Sequence, residues 1–598
     1  MSPRRTDTGG RIDRLKTIRF TFDGVAYTGH GGDTLASALL ANGVTLFGRS
    51  FKYHRPRGLL SAGVEEPNAL VTVLKGEVRE PNIPATMVEI HDGLIAVSQN
   101  RFPSLAWDIH AVNQLGGKIL SAGFYYKTFM GPVIGPLKGT RFWMFCEHFI
   151  RRAAGLGSAG SAKDPARYER MNAFCDVLVV GSGPAGLMAA KAAADQGARV
   201  ILADLEPRFG GSGNWSGETI DGAPAADWVR RTVAQLEARD NVRLLPRTTV
   251  WGYYDNNTLA ALERVSDHKA QPAKGEPRHR YWAIRAGSVV LATGAFERPL
   301  VFPGNDRPGV MLAHAAERYA NEFGVLPGQR VVVFTNNDSA YEVAEAIAEA
   351  GAEVTLVDIR RDGMPAAPDR IRLFKGRALA SAAGRIRVEG VTLDDGTRLD
   401  ADCVLVSGGW TPTIHLFGQA RGKLAWSEAR AAFLPGNPVE GISVAGAAAS
   451  AVSLSDVFAG AEKAVASLGQ TEAVTPRSTG PEATAGIVAA WPVPGSKGRI
   501  WIDYQNDVTV KDVELAAREN FVSVEHLKRY TTLGMATDQG KTSNLPGLAL
   551  MAGITGRTVP EVGTTTYRPP FTPVPLASFA GARAGELMAP VRRLPLEN

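Results

Sequence analysis

With 598 residues, 44% of them hydrophobic and 21% charged, the chain has an ordinary folded composition and the length of about three or four domains. No run approaches the roughly 18 apolar residues of a membrane span, and the basic start MSPRRTDTGGRIDRLK leads into no apolar signal core, so no membrane association and a cytoplasmic location are expected. A net charge of +6 is small for this length and gives no reason to invoke nucleic acid, while three cysteines without a C-x-x-C spacing exclude a redox dithiol and an all-cysteine cluster.

Ile18 to Gly29 alternates around a turn at Asp23-Gly24 and predicts a β-hairpin, followed by a short helix over Thr34 to Asn42. Phe47 to Val73 then has the layout of a plant-type ferredoxin β-grasp module, in which cysteines spaced C-x4-C-x2-C hold a 2Fe–2S cluster. Ser61, Glu66 and Ala69 stand at those places. None is a thiolate, so a cysteine-free domain over residues 1–105 is expected to carry no cluster. Arg49 to Arg57 mixes basic and aromatic residues; no second basic patch accompanies it, and packing on another domain is the expected role. Residues 106–172 lack strong periodicity and contain the Gly/Ser/Ala-rich linker Gly155 to Pro165.

The apolar run Cys175 to Val180 enters Gly181-Ser182-Gly183-Pro184-Ala185-Gly186 directly, and an alanine-rich helix, Leu187 to Gln196, follows. This is a βαβ dinucleotide turn. Gly181 permits the tight turn, Gly183 lets the backbone approach a pyrophosphate, and Gly186 lets the helix lie close on the sheet. The next strand, Arg199 to Ala203, ends at Asp204, placed to accept ribose hydroxyls. Phe209 to Gly217 has the position of a lid over the adenosine side. A helix over Asp227 to Ala238 precedes a strand over Val242 to Tyr253, with Val250 placed to meet the adenine. Ser288 to Leu291 runs into Ala292-Thr293-Gly294, where chains of two-dinucleotide flavoproteins leave the first nucleotide domain.

A second βαβ unit follows, with strand Arg330 to Phe334, helix Ser339 to Ala350 and strand Glu353 to Asp358. Its turn reads Thr335-Asn336-Asn337-Asp338-Ser339-Ala340, without a glycine where three are needed, so the second site is expected to be vestigial. Gly441 to Ala447 returns to the first unit. Flavoproteins of this architecture place an aspartate where Ala447 stands, and one intact site without that aspartate favours NAD over FAD. Near the C-terminus, DYQNDVTVKD and EHLKRYTTLGMATDQGKTSN resemble the small helical domain of bacterioferritin-associated ferredoxins, with Asp503, Gln505, Asp538 and Ser543 at the cluster-ligand positions.

Together with KYHRPRG, CDVLVVGSGPAG and LATGAFERP, these segments make nearly the whole chain similar to the α subunits of heterotetrameric sarcosine oxidases. The resemblance implies an α/β fold. A two-dinucleotide-binding, Rossmann-like core over 173–470, with a degenerate second nucleotide subdomain at about 305–430, stands between the β-grasp domain and a small helical domain over 485–598. It implies NAD contacts at Gly181, Gly183, Ala185, Gly186, Asp204, Leu205, Glu206, Ser212, Val250, Thr293, Gly294 and Ala447. It further implies a flavoprotein β subunit carrying FAD, small accessory subunits, FMN at the subunit interface, and an amine substrate bound outside this chain. Cations and hydroxyls at Lys528, Arg529, Thr531, Thr532, Lys541 and Thr542 suit an FMN wall. The family's folate-binding domain is not in the sequence. Two other readings remain open: a subunit of an N-methylglutamate, opine or hydroxyproline-type dehydrogenase, and a non-catalytic NAD-binding scaffold.

Overall fold

Asp23 and Gly24 both adopt positive φ, 50° and 80°, and turn the chain between strands Asp13–Phe22 and Val25–Gly31. Ile18, Phe20 and Phe22 face inward from the first of these strands, as a half-buried strand of period two requires. Helix Leu35–Ala41 is capped by Thr34, whose hydroxyl accepts from Ser37 N–H at 3.1 Å. The sheet has the order Val25–Gly31, Asp13–Phe22, Leu94–Ser98, Leu70–Lys75, Val78–Pro84, with its second and third members parallel. This computed structural model describes residues 4–117, 121–123, 143–148, 157, 160, 162–466, 487–493 and 498–583.

The central sheet carries a parallel set in the order Val242–Leu245, Val200–Ala203, Tyr168–Val180, His279–Leu291, Ile442–Val444. Helix Pro184–Asp195 lies on it with ten of its twelve residues buried, which alanine and glycine permit because they demand little space between helix and sheet. The strand expected over Val242 to Tyr253 is two. Val242–Leu245 pairs parallel with Val200–Ala203, the chain turns at Arg247 with φ 52°, and Thr248–Tyr254 starts an antiparallel meander with Thr258–Arg264. Periodicity does not separate the halves, Val-Arg-Leu-Leu and Thr-Thr-Val-Trp-Gly-Tyr-Tyr, but Pro246 between them is a sequence signal for the break. The central strand begins at Tyr168, earlier than the apolar run, because its first half pairs with His279–Arg285 at the polar rim. Part of the expected Gly155 to Pro165 linker, residues 155, 156, 158, 159 and 161, lies outside the described residues, and Ile109–Gly116 ahead of it is a 3-10 helix.

A second parallel sheet, Val310–Leu312, Cys403–Ser407, Arg330–Thr335, Glu353–Asp358, Arg372–Lys375, shares one hydrophobic core with the N-terminal sheet. Phe20, Leu39, Phe302, Val333 and Trp501 all belong to it. The antiparallel strands Ala295–Glu297 and Trp410–Pro412 carry the chain between the two parallel sheets. The basic loop packs inward: Arg55 and Arg57 pair with Asp306, Arg57 reaches Asp507 at 2.6 Å, and both guanidiniums lie over Trp501. That knot joins the first, middle and last parts of the chain. The last part contains helices Val510–Arg518, Val524–Thr531 and Asn544–Thr555 around Leu527, Leu548 and Met551. No helix among the described residues is long and apolar enough to cross a membrane.

Candidate functional site

The three fingerprint glycines are needed for three different reasons. A Cβ on Gly181, whose φ is +95°, would lie 2.3 Å from the Ala292 carbonyl oxygen, and one on Gly186 would lie 1.9 Å from that of Gly181. Both positions are closed by the protein itself. A Cβ on Gly183 would meet nothing within 4 Å. Gly183 is also the N-cap of helix Pro184–Asp195 and has no side chain to cap it, so the first helical N–H groups and the positive end of the dipole face open space. The donor set and the cradle fit a pyrophosphate.

That space belongs to a cavity of about 1130 Å³ running across the C-terminal ends of the parallel strands. Of the twelve residues expected to contact NAD, all but Gly186 line it; Gly186 packs against the turn instead. Asp204 holds the turn in place as well as facing the cavity: one oxygen accepts from Ser182 N–H and Oγ–H, both at 2.6 Å, and the other from Glu206 N–H at 2.8 Å. Burial raises its pKa. Glu206 pairs with Arg318 at 3.1 Å. The loop expected as a lid is tied down, with Gly210 N–H donating to Ser182 Oγ at 3.1 Å and Asn321 donating to the Trp215 carbonyl at 2.8 Å. At the facing wall, His314 contacts Glu297 at 3.0 Å and stands edge-on to Trp410. Burial works against its charge, but Glu297, Glu317 and Glu342 outweigh it and bring His314 to about 8.

The second turn differs at each of these points. Asn337 Oδ1 accepts from Ser339 N–H at 3.1 Å and its Nδ2 donates to Ser407 at 3.1 Å, while Thr335 Oγ1 bridges back to the Asn337 backbone. The helix N–H that a phosphate would use is taken by the chain's own amide. Asp358, the acid ending the second strand, is held by Arg360 and Tyr341.

Glu66 occupies the ferredoxin-like loop. Its carboxylate accepts from the N–H groups of Leu60, Ser61, Asn68 and Ala69 at 2.7–3.0 Å, and burial raises it to about 7. In the C-terminal helical part, Asp503 accepts from Asn506 and Gly534, and Gln505 accepts from Asp538 N–H. Burial, then repulsion from Asp538, raises Asp503 to about 7. Neither donor set fits an iron–sulfur cluster, because carboxylates satisfied by amide N–H groups fill the places of thiolates.

The expected FMN wall divides. Lys528 and Thr532 are half-buried and Arg529 is exposed, whereas Thr531, Lys541 and Thr542 are buried within this chain. Thr531 Oγ–H donates to the Leu527 carbonyl, and Lys541 Nζ donates to the carbonyls of Asp538 and Phe571. Lys541 lines the dinucleotide cavity, together with Thr413, His415 and Phe571, which no sequence motif singled out. The Trp410-Thr411-Pro412 break stands just ahead of Thr413 and His415, and nothing in the sequence marked Phe571.

Three segments match family models: residues 15–101 a 2Fe-2S iron-sulfur cluster binding domain, 175–471 a pyridine nucleotide-disulphide oxidoreductase, and 497–583 a sarcosine oxidase A3 domain. The sarcosine oxidase subunit alpha of Rhizobium meliloti (strain 1021) is 46% identical over 100% of this chain and 61% of its own length. That of Corynebacterium sp. (strain U-96) is 38% identical over 98% of this chain and 58% of its own. The chain thus spans about three-fifths of these relatives. The crystal structure of L-proline dehydrogenase from P. horikoshii superposes with a TM-score of 0.70 over 97% of this chain and 100% of that one, at 20% identity, a likeness of fold.

Proposed function

The chain is a homologue, along its whole length, of sarcosine oxidase alpha subunits, and from that premise we propose that it is the NAD-binding subunit of a multi-subunit flavoprotein oxidase. The reaction is the oxidation of sarcosine with water and dioxygen to glycine, formaldehyde and hydrogen peroxide. The observation that carries the NAD reading is the contrast between the two turns: Gly183 leaves an uncapped helix N-terminus facing a cavity, and Asn337 closes its counterpart.

Gly181 and Gly183 shape the pyrophosphate cradle, and Asp204, Leu205, Glu206 and Val250 hold the adenosine. Ser212 closes over it, and Thr293, Gly294 and Ala447 line the path beyond. Ala447 in place of an acid supports NAD over FAD in this chain. The N-terminal part is a β-grasp domain without cluster ligands, and the C-terminal part a ferredoxin-derived helical domain that has likewise lost its thiolates. FAD in a partner β subunit and FMN at the shared interface supply the electron transfer. Lys528, Arg529 and Thr532 are the part of the expected FMN wall that another chain can reach. Small accessory subunits complete a cytoplasmic assembly, and the amine binds in a partner.

Heating the purified chain and separating the released nucleotide by chromatography tests the cofactor. Stoichiometric NAD is expected; stoichiometric FAD refutes the reading. Co-expression with a flavoprotein β subunit is expected to produce peroxide from sarcosine, and a complex that reduces an artificial acceptor but not dioxygen refutes the oxidase assignment.

A further inference from the structure

Strand order gives the cavity a direction. Asp204 follows the second strand of the parallel set, Gly181 follows the central one, and Thr293-Gly294 follow the fourth. Thr413 sits directly beyond, its N–H donating to the Gly294 carbonyl at 2.9 Å while its own carbonyl accepts from Thr293 Oγ–H at 2.6 Å. A dinucleotide with its adenosine at Asp204 and its pyrophosphate at Gly183 therefore points its other end toward Thr413, His415 and Lys541.

That inner end is built and unfilled in its hydrogen bonding. His415 Nδ1 and Thr413 Oγ1 have no partner, although these residues are only 7% and 9% exposed. Lys541 Nζ has three protons and donates to two carbonyls, at 3.1 and 2.9 Å. Phe571 fixes the group: its ring stacks on His415 at 4.5 Å and 22°, and Lys541 Nζ stands 4.1 Å from its centroid. Burial, reinforced by Lys541, lowers His415 to about 3 and keeps it neutral. Buried polar atoms without partners are costly, and these three offer two donors and one ring nitrogen able to accept.

Resting on the NAD reading above, we propose that this end is a subsite for the carboxamide-bearing pyridine ring of the dinucleotide. Lys541 and Thr413 donate to the amide oxygen, and His415 Nδ1, with its ring proton on Nε2, accepts from the amide nitrogen. A carboxamide oxygen accepts twice and its nitrogen has two protons, so the oxygen takes both donors, one N–H goes to His415 and the other stays free for water.

Calorimetric titration of the full chain, first freed of any co-purified nucleotide, with NAD and with ADP-ribose, which lacks the pyridine, separates this subsite from the rest of the cavity. The wild type is expected to bind NAD more tightly than ADP-ribose. Lys541→Met, His415→Phe and Thr413→Val are each expected to weaken NAD about ten-fold or more while ADP-ribose changes by less than about two-fold. Thr413→Val is isosteric and serves if Lys541→Met fails to fold. An affinity ratio of one in the wild type, or an unchanged ratio in the variants, overturns the subsite. A wild type that binds ADP-ribose but shows no such ratio spares the NAD reading, whereas one that binds neither ligand removes both.

Discussion

Replacing Gly183 by alanine separates binding from folding. The added methyl meets nothing within 4 Å, and the residue's φ of −58° and ψ of 178° suit any amino acid. The apo protein should therefore lose no stability, and alanine's smaller unfolded-state entropy should add about 0.4–1 kcal/mol. The methyl projects into the cradle and displaces the pyrophosphate from the helix N-terminus. Two charge-assisted N–H bonds at about 1.5–3 kcal/mol each amount to a loss of at least about 100-fold in affinity. Thermal unfolding with and without NAD reads both effects. At about 100 times its dissociation constant NAD stabilises the wild type by about 2.7 kcal/mol, and the variant should lose that upward shift. Gly186→Ala is the control with the opposite signature, because its Cβ would lie 1.9 Å from the Gly181 carbonyl oxygen and must destabilise the apo protein. A Gly183→Ala protein that retains wild-type affinity, or that unfolds earlier without nucleotide, refutes the cradle.

Three further outcomes follow from buried charge. Glu66→Ala strands four amide N–H groups and is expected to cost at least about 4 kcal/mol in urea denaturation, at about 1 kcal/mol or more per donor; a cost under about 1 kcal/mol would mean water replaces the carboxylate. Arg57→Ala leaves Asp507 buried without its partner at 2.6 Å and weakens the hold on Asp306, with an expected loss of about 3–5 kcal/mol by the same assay. Asp503 has a folded-state pKa raised by burial and then by Asp538 to about 7, above its unfolded value. Its contribution to stability is therefore full below the unfolded carboxylate range and lost as pH rises through about 7. Asp503→Asn removes that titration, so the variant should gain on the wild type between pH 5 and 8; parallel stability profiles would show that Asp503 titrates normally.

The periodic and glycine-bearing stretches were legible in the sequence because their physics is local. Cys175 to Asp204 specified strand, turn, helix and strand through side-chain volume and φ alone, and the structure places those elements within a residue or two at most ends. The loss of thiolates was equally plain. What fills their places was not: Glu66 could be read only as a missing ligand until folding brought four N–H groups from either side of it onto one carboxylate. The division of Val242 to Tyr253 had one sequence signal, Pro246 between the halves, but which neighbours the two halves pair with, one parallel and one antiparallel, was decided only by the fold. Lys541 shows the same limit. Its neighbours in sequence are polar and mark it as a surface cation, but its environment is made by Phe571 and His415. Thirty and more residues separate those groups along the chain, and only tertiary packing turns them toward one cavity.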